Sequence, residues 1–230
     1  MRAMILAAGL GMRMRPLTET TPKPMLPISR KPLLQHHIER LAAAGVRELV
    51  INTHWLAEQI ETYFGTGETF GVDIEWSRET CCLETGGGVA AALSLLGDEP
   101  FILINGDVWT DYPLKTLVEH TLEDTIDAHL VMVENPDHNL QGDFCLSQQM
   151  LFLLATTGAC ERHTFSGLSV LRPRLFETRV LTRLPRVFPL RDILKPAIEQ
   201  ERVTGELYAG LWSDVGTIGR YQSIVAATEV

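Results

Sequence analysis

Between Leu6 and Pro24 the chain places two glycines, two arginines and a lysine set between prolines within one segment. It reads Leu6-Ala-Ala-Gly-Leu-Gly-Met-Arg-Met-Arg-Pro-Leu-Thr18, followed by Thr21-Pro-Lys-Pro24. Gly9 and Gly11 allow close backbone approach and exposed N–H groups, which is what a polyphosphate cradle needs. The two prolines restrict the backbone around Lys23 and so preorganise its ammonium. A loop of this length after an apolar strand usually has a function. Two common phosphate motifs are excluded by spacing. A dinucleotide fingerprint needs a third glycine where Met14 stands, and a Walker loop needs Gly-Lys-Ser/Thr.

Charge supports the same reading. Residues 1–32 hold Arg2, Arg13, Arg15, Lys23, Arg30 and Lys31 against Glu19 alone, in a chain of net charge −9. An acidic protein with one basic end suggests a local anion site. Taken alone, the stretch could also be a solvated basic loop, the less favoured reading. The overall acidity argues against nonspecific binding to nucleic acid or to an anionic membrane.

Further along, Leu83-Glu-Thr-Gly-Gly-Gly88 opens a helical pattern, where bare backbone suits a ligand edge or tight helix packing. Asp107 follows the run Phe101-Ile-Leu-Ile-Asn105, and Asp214 follows another strand-like run in Trp212-Ser-Asp-Val-Gly-Thr217. Either aspartate by itself could be a helix or turn cap. His36 and His37 lack a ligand-spaced partner and read as helix surface and packing. Trp55, Trp76 and Trp212 read as core. The four cysteines show no C-x-x-C pair and no secretory leader precedes them, so they are expected as reduced thiols. Gly9, Gly11, Arg13 and Arg15 break up the only run near the start that resembles a leader, no stretch reaches transmembrane length, and a cytoplasmic location is expected.

These residues must be held by a frame. At 230 residues and 45% hydrophobic content the chain can bury one substantial core, so a single domain, 1–230, is expected. Strands are expected at Ala3–Ala7, Glu48–Asn52, Val72–Trp76, Phe101–Asn105, Asp127–Val133 and Thr164–Leu171. Helical faces fall at Leu34/Ile38/Leu41, Leu56–Phe64, Val89–Leu96 and Leu114–Leu122, then at Arg191–Glu201 and Thr217–Thr228, with Leu207–Val215 strand-like between these last two. Alternation of this kind predicts an α/β fold, a Rossmann-like mostly parallel mixed sheet with helices on both faces. Its ligands should lie beyond the carboxyl ends of the strands, after Ala7, Trp76 and Asn105. From 135 to 163 the periodicity fails, and a hairpin-like excursion over the sheet edge is expected. No hexapeptide repeat is present, so no acetyltransferase domain is expected.

The string G-x-G-x-R-M-x-P-L-T followed by P-K-P resembles the signature of the sugar-1-phosphate nucleotidylyltransferases, whose fold is of the GT-A-like type. The resemblance implies that Ala8, Gly9, Gly11, Met12, Arg13 and Lys23 wrap the triphosphate. Arg13 would hold the β- and γ-phosphates, and Lys23 would touch phosphate oxygens near the reacting centre. These two are the expected catalytic residues. Ser77 and Gly86, in the segment from Ser77 to Gly86, would meet the nucleobase, while Asp107 and Asp214 would hold Mg²⁺, which favours one or two carboxylates plus phosphate oxygens.

The similarity spans nearly the whole chain and is nearer to one branch, the N-acetylmuramate-1-phosphate uridylyltransferases of peptidoglycan recycling. That branch also shows L-E-T-G-G-G, N-G-D-V-W-T-D-Y, G-D-F and W-x-D-V-G-T. It implies UTP and N-acetylmuramate-1-phosphate as substrates, with Asn105, Asp143 and Gly167 on the sugar. Two departures stand out. The Glu-Lys-Pro element that meets the acceptor phosphate in many relatives is missing, and Leu10 and Met12 replace basic or small residues. Other readings are a mannose-1-phosphate guanylyltransferase, a glucose-1-phosphate thymidylyl- or uridylyltransferase, or a noncatalytic nucleotide-sensing subunit. A monomer or small homo-oligomer is expected.

Overall fold

The computed structural model describes residues 1–153, 160–177, 181–182 and 184–228. Its apolar runs form β1 (Ala3–Leu6), β4 (Glu48–Thr53), β5 (Asp73–Arg78) and β6 (Phe101–Asn105), with α1 (Leu33–Ala43), α2 (Ala57–Phe64) and α3 (Glu84–Leu96) between them. A small ribbon, β2 (Pro27–Ile28) with β3 (Lys31–Pro32), leads into α1. β7 (Val108–Thr110), α4 (Leu114–Glu119) and β8 (Ala128–Val133) follow, then β9 (Phe144–Ser147), β10 (Met150–Phe152) and β11 (Arg162–Leu171). The chain ends with α5 (Arg191–Glu199), β12 (Val203–Tyr208), β13 (Trp212–Asp214) and α6 (Ile218–Thr228).

Among the described residues, nine strands make one mixed sheet in the order β5-β4-β1-β6-β11-β8-β12-β10-β9. The first four run parallel, as crossover helices require. The long β11 lies antiparallel between β6 and β8, and β12 pairs parallel with β8. Side chains alternate across the sheet. Ile5, Ile51 and Ile104 pack under Leu34, Ile38, Leu41, Ile60 and Leu117 of α1, α2 and α4. Met4, Val50 and Leu103 pack on the other face under Val89, Ala92, Ile193 and Ile198 of α3 and α5. Each such fully buried side chain contributes about 1.5–3 kcal/mol of hydrophobic stabilisation.

Parallel register brings the strand ends into line: Leu6 pairs with Asn52 and Asn105, and Asn52 with Ser77. A third cluster ties the first loop to the end of the chain, since Met14, Leu26, Ile28 and Leu33 pack against Val215 and Ile224.

The excursion is a hairpin on the sheet edge. Gln148 and Gln149, both at positive φ, turn β9 into β10, and β10 then pairs with β12. Its stretch at 154–159, including Leu154 of an expected apolar piece, lies outside the described residues. One expectation needs correction. Leu207–Val215 is not one strand but the end of β12 and, after the break around Gly210, β13 of a separate ribbon with β7. Gly205 and Glu206 hide β12 in the sequence. A Cβ at Gly205 would crowd Leu130 O and Leu151, so the glycine reflects close strand packing.

Candidate active site

The first loop leaves β1 at Ala7, whose N–H donates to Asn52 Oδ1 at 2.7 Å. Asn52 Nδ2 donates to Glu79 Oε1 at 2.7 Å, and Glu79 Oε2 accepts from Leu83 N–H at 3.0 Å. A buried relay thus fixes the ends of β1 and β4 and the segment before α3 relative to one another. Neither Asn52 nor Glu79 was expected from the sequence; a polar pair buried at strand ends is visible only once the strands are in register.

The loop is anchored to its surroundings. Thr18 Oγ1 donates to Gly11 O at 2.7 Å, Trp55 Nε1 to Thr18 O at 3.0 Å and Gln59 Nε2 to Thr20 O at 3.0 Å. Gly11 has φ 63°, and a Cβ there would strike Thr18. Met12 and Arg13 follow it on a short 3-10 turn, both exposed.

Lys23 Nζ donates to Asp107 Oδ2 at 2.5 Å, with the lysine side chain only 14% exposed. The β7–β13 ribbon brings in the second aspartate, as Val215 N–H donates to Asp107 O at 2.7 Å. Asp214 Oδ2 accepts from Arg220 Nη2 at 2.8 Å, and Arg220 Nε donates to Asp214 O at 3.1 Å. Asp214 Oδ1 is buried and receives no well-aligned hydrogen bond, although His138 Nε2 lies 3.1 Å away. Gly216 makes this approach possible, because a Cβ there would overlap Arg220 Nη2 and Asp214 Oδ2.

Behind Asp107 lies His37, fully buried near the backbone of Gly106, with its Nε2 accepting and donating no hydrogen bond among the described residues. Burial, with a smaller push from Arg40, brings its pKa down to about 4 despite the pull of Asp107. The imidazole is a neutral strut, in line with the packing role expected of it. His36 is half-buried, with Nε2 2.9 Å from Ile28 O and its ring edge-on to Trp109.

A cavity of about 200 Å³ opens at these strand ends, lined by Ala8, Gly9, Lys23, Glu79, Thr85 and Asp107 among others. A second, of about 390 Å³, is lined by Asp143, Phe144, Arg162, Phe165, Arg191 and Lys195 among others. The two have Thr85 and Asn105 in common, so they adjoin.

Of the expected nucleotide residues, Ala8, Gly9 and Lys23 line the first cavity, whereas Gly11, Met12, Arg13, Ser77 and Gly86 do not. Ser77 is buried in β5. Gly86 faces Phe188: its N–H donates to Phe188 O at 3.0 Å, and a Cβ would overlap the ring. Gly87 sits as closely against Arg186 O. The glycine run is therefore accounted for by packing, and the cavity wall there is Cys82, Glu84 and Thr85.

The expected sugar residues do come together. Asn105 and Asp143 line the second cavity, and Asp143 Oδ2 is held by Phe165 N–H at 2.9 Å. Gly167, φ 84°, sits in a bulge of β11 directly against the Asn105 side chain. Trp212 Nε1 donates to Ser166 O at 2.9 Å, joining this bulge to the Asp214 strand. Arg220, Arg191 and Lys195 were not expected. They are helix-surface cations, and the contact of Arg220 with Asp214 is set by tertiary structure.

Comparison with known proteins identifies the family. Residues 2–143 match the family described as Nucleotidyl transferase. The chain is 44% identical over 229 residues to N-acetylmuramate alpha-1-phosphate uridylyltransferase of Neisseria meningitidis serogroup B, covering 98% of this chain and 97% of that one. It is 31% identical over 224 residues to mannose-1-phosphate guanylyltransferase of Mycobacterium tuberculosis, covering 94% of this chain and 61% of that longer protein. Among solved structures, one described as a glucose-1-phosphate thymidylyltransferase of Bacillus anthracis superposes with a TM-score of 0.87 at 20% identity, covering 99% of this chain and 95% of that one. A UDP-glucose pyrophosphorylase of Acinetobacter gives 0.79 at 20% identity, covering 98% and 92%. At such identity the two structures speak for the fold alone, and the relatives speak for the chemistry. With a lysine on an aspartate beside a glycine-bearing loop, and with these matches over nearly its whole length, the chain belongs to the nucleotidyl transferase family.

Proposed function

We propose that this enzyme transfers UMP from UTP to N-acetylmuramate-1-phosphate and releases pyrophosphate, as a cytoplasmic step in peptidoglycan recycling. The observation that carries the reading is the pair of adjoining cavities, one at the Lys23–Asp107 pair and one at Asp143, which have Asn105 in common. One suits a nucleotide and the other a sugar, and the acceptor phosphate belongs at their junction. The choice of base and sugar rests on the uridylyltransferase that is 44% identical.

In this reading an oxygen of the sugar phosphate attacks the α-phosphorus of UTP, and the bond to the bridging oxygen of the β-phosphate breaks. The second pKa of a phosphate monoester is near ~6, so the acceptor arrives ionised and no residue has to remove a proton. The protein's task is to relieve repulsion between two polyanions. Lys23 supplies a positive charge beside the reacting phosphorus, backbone N–H groups of Ala8 and Gly9 face the phosphates, and the exposed Arg13 reaches the leaving pyrophosphate.

Asp107 and Asp214 suit a magnesium ion. Asp107 immediately precedes β7, whose Val108 pairs with Asp214, and among the described residues Asp214 keeps a buried oxygen that accepts no hydrogen bond. When bound, the ion supplies charge neutralisation of the phosphates. Asn105, Asp143 and the bulge at Gly167 orient the sugar.

The test is kcat/KM for the 1-phosphates of N-acetylmuramate, N-acetylglucosamine, glucose and mannose, each with UTP and with GTP. The reading expects the highest value for muramate with UTP. A higher value for mannose-1-phosphate with GTP would overturn the substrate assignment and leave the reaction class standing.

A further inference from the structure

We propose that Arg191 and Lys195 of α5, together with Arg162, form a carboxylate-binding wall of the sugar cavity and take the 3-O-lactyl group of the acceptor. This rests on the substrate reading above. Among the described residues, three cations line the second cavity against one carboxylate, Asp143, in a chain of net charge −9. Asp143 forms no ion pair with any of them among the described residues, its Oδ2 accepting the Phe165 N–H instead, and its single charge leaves the cations in excess. Arg162 is fixed in place by donating from Nη2 to Gly142 O and Asp143 O, at 3.0 and 2.9 Å, while its buried Nε has no acceptor among the described residues. Arg191 and Lys195 lie one turn apart on the solvent-facing side of α5, away from buried Ile193, Ala197 and Ile198, and neither has an acidic partner among the described residues. Like charges at this spacing oppose the helix slightly, so an anion between them relieves a repulsion.

A hexose has no group that needs these cations. Its phosphate belongs with Lys23 and Asp107, which line only the first cavity, whereas Arg162, Arg191 and Lys195 line only the second. Asn105 and Thr85 stand between. An acceptor whose phosphate lies at the junction, facing Lys23, and whose ring occupies the second cavity needs another anion to meet them, and the lactyl ether of muramate supplies a carboxylate. Arginine suits it because its planar fork can hold both oxygens.

The experiment uses the full chain with Arg191→Gln, Lys195→Gln, the double variant and Arg191→Lys. With UTP, KM and kcat are measured for N-acetylmuramate-1-phosphate. N-acetylglucosamine-1-phosphate, identical except for the lactyl group, is measured as substrate or as competitive inhibitor. Loss of one hydrogen bond to a charged group is expected to raise KM for the muramate compound by about 10- to 100-fold per glutamine variant, with kcat little changed. Affinity for the glucosamine compound stays within about two-fold, and Arg191→Lys recovers part of the loss. Equal losses on both compounds would assign the cations to the phosphate or to structure, and would overturn the inference alone. No loss on either would do the same. A wild-type enzyme that does not prefer muramate would overturn the substrate reading and the inference together.

Discussion

Gly216→Ala tests whether the orientation of Asp214 matters for turnover. The added methyl would overlap Arg220 Nη2 and Asp214 Oδ2, which now lie 2.8 Å apart. The guanidinium is the movable partner, since it sits at the end of a flexible side chain. Moving it removes a charge-assisted hydrogen bond of about 1.5–3 kcal/mol and frees the carboxylate to rotate. If most of that energy holds Asp214 in its working position, turnover falls by about 10- to 100-fold, at 1.4 kcal/mol per factor of ten. Overpacking costs about 1–3 kcal/mol of stability in addition, so a melting curve must accompany the kinetics. The assay is pyrophosphate release at saturating UTP and sugar phosphate over a magnesium titration, for Gly216→Ala, Arg220→Ala and the double variant. Because the methyl acts through Arg220, the double variant should be no slower than Arg220→Ala. Turnover of Gly216→Ala at the wild-type level in a folded protein, or fully additive losses, would refute the reasoning.

Asp107→Asn should lower turnover by orders of magnitude with the melting temperature little changed, and near-normal activity or full activity in EDTA would contradict the two-aspartate site. Lys23→Ala and Arg13→Ala should both slow the reaction, and loss of Arg13 should also weaken inhibition by pyrophosphate; unchanged kinetics in both would return the loop to a merely solvated one. His37 carries a pH dependence of stability. Its folded pKa is lowered to about 4, so the unfolded imidazole takes up a proton as pH falls through 6.5 while the folded one stays neutral. Its contribution is complete above pH 6.5 and is lost between 6.5 and about 4, up to roughly 3 kcal/mol. His37→Gln should flatten this part of the curve of melting temperature against pH, and an unchanged curve would refute it.

The parts of the site that were legible in the sequence are those made by contiguous residues. The loop from Leu6 to Pro24 and the strand Phe101–Asn105 signal themselves through glycines, prolines and an apolar run. The β1–β6 register sets the start of that loop beside the end of β6, and the loop's tertiary anchors at Trp55 and Gln59 then help to carry Lys23 to Asp107. Sequence neighbours say nothing about contacts such as Arg220 on Asp214, or the relay from Ala7 through Asn52 and Glu79 to Leu83, which depend on where distant strand ends fall. The glycines of Leu83–Gly88 left two readings open for a related reason. Bare backbone serves ligand approach and close packing alike, and the segment 186–188 that packs against them lies about a hundred residues away. β12 was hidden because Gly205 and Glu206 lower its strand signal, while its place between β8 and β10 comes from tertiary pairing.

The most direct test of the account is the product formed in one tube containing equimolar ATP, CTP, GTP and UTP, N-acetylmuramate-1-phosphate, magnesium and the wild-type enzyme, read by mass spectrometry together with released pyrophosphate. The account predicts UDP-N-acetylmuramate as the dominant nucleotide sugar, formed in equal amount with pyrophosphate and abolished by EDTA. A different nucleotide on the sugar, or no nucleotide sugar at all, would contradict it.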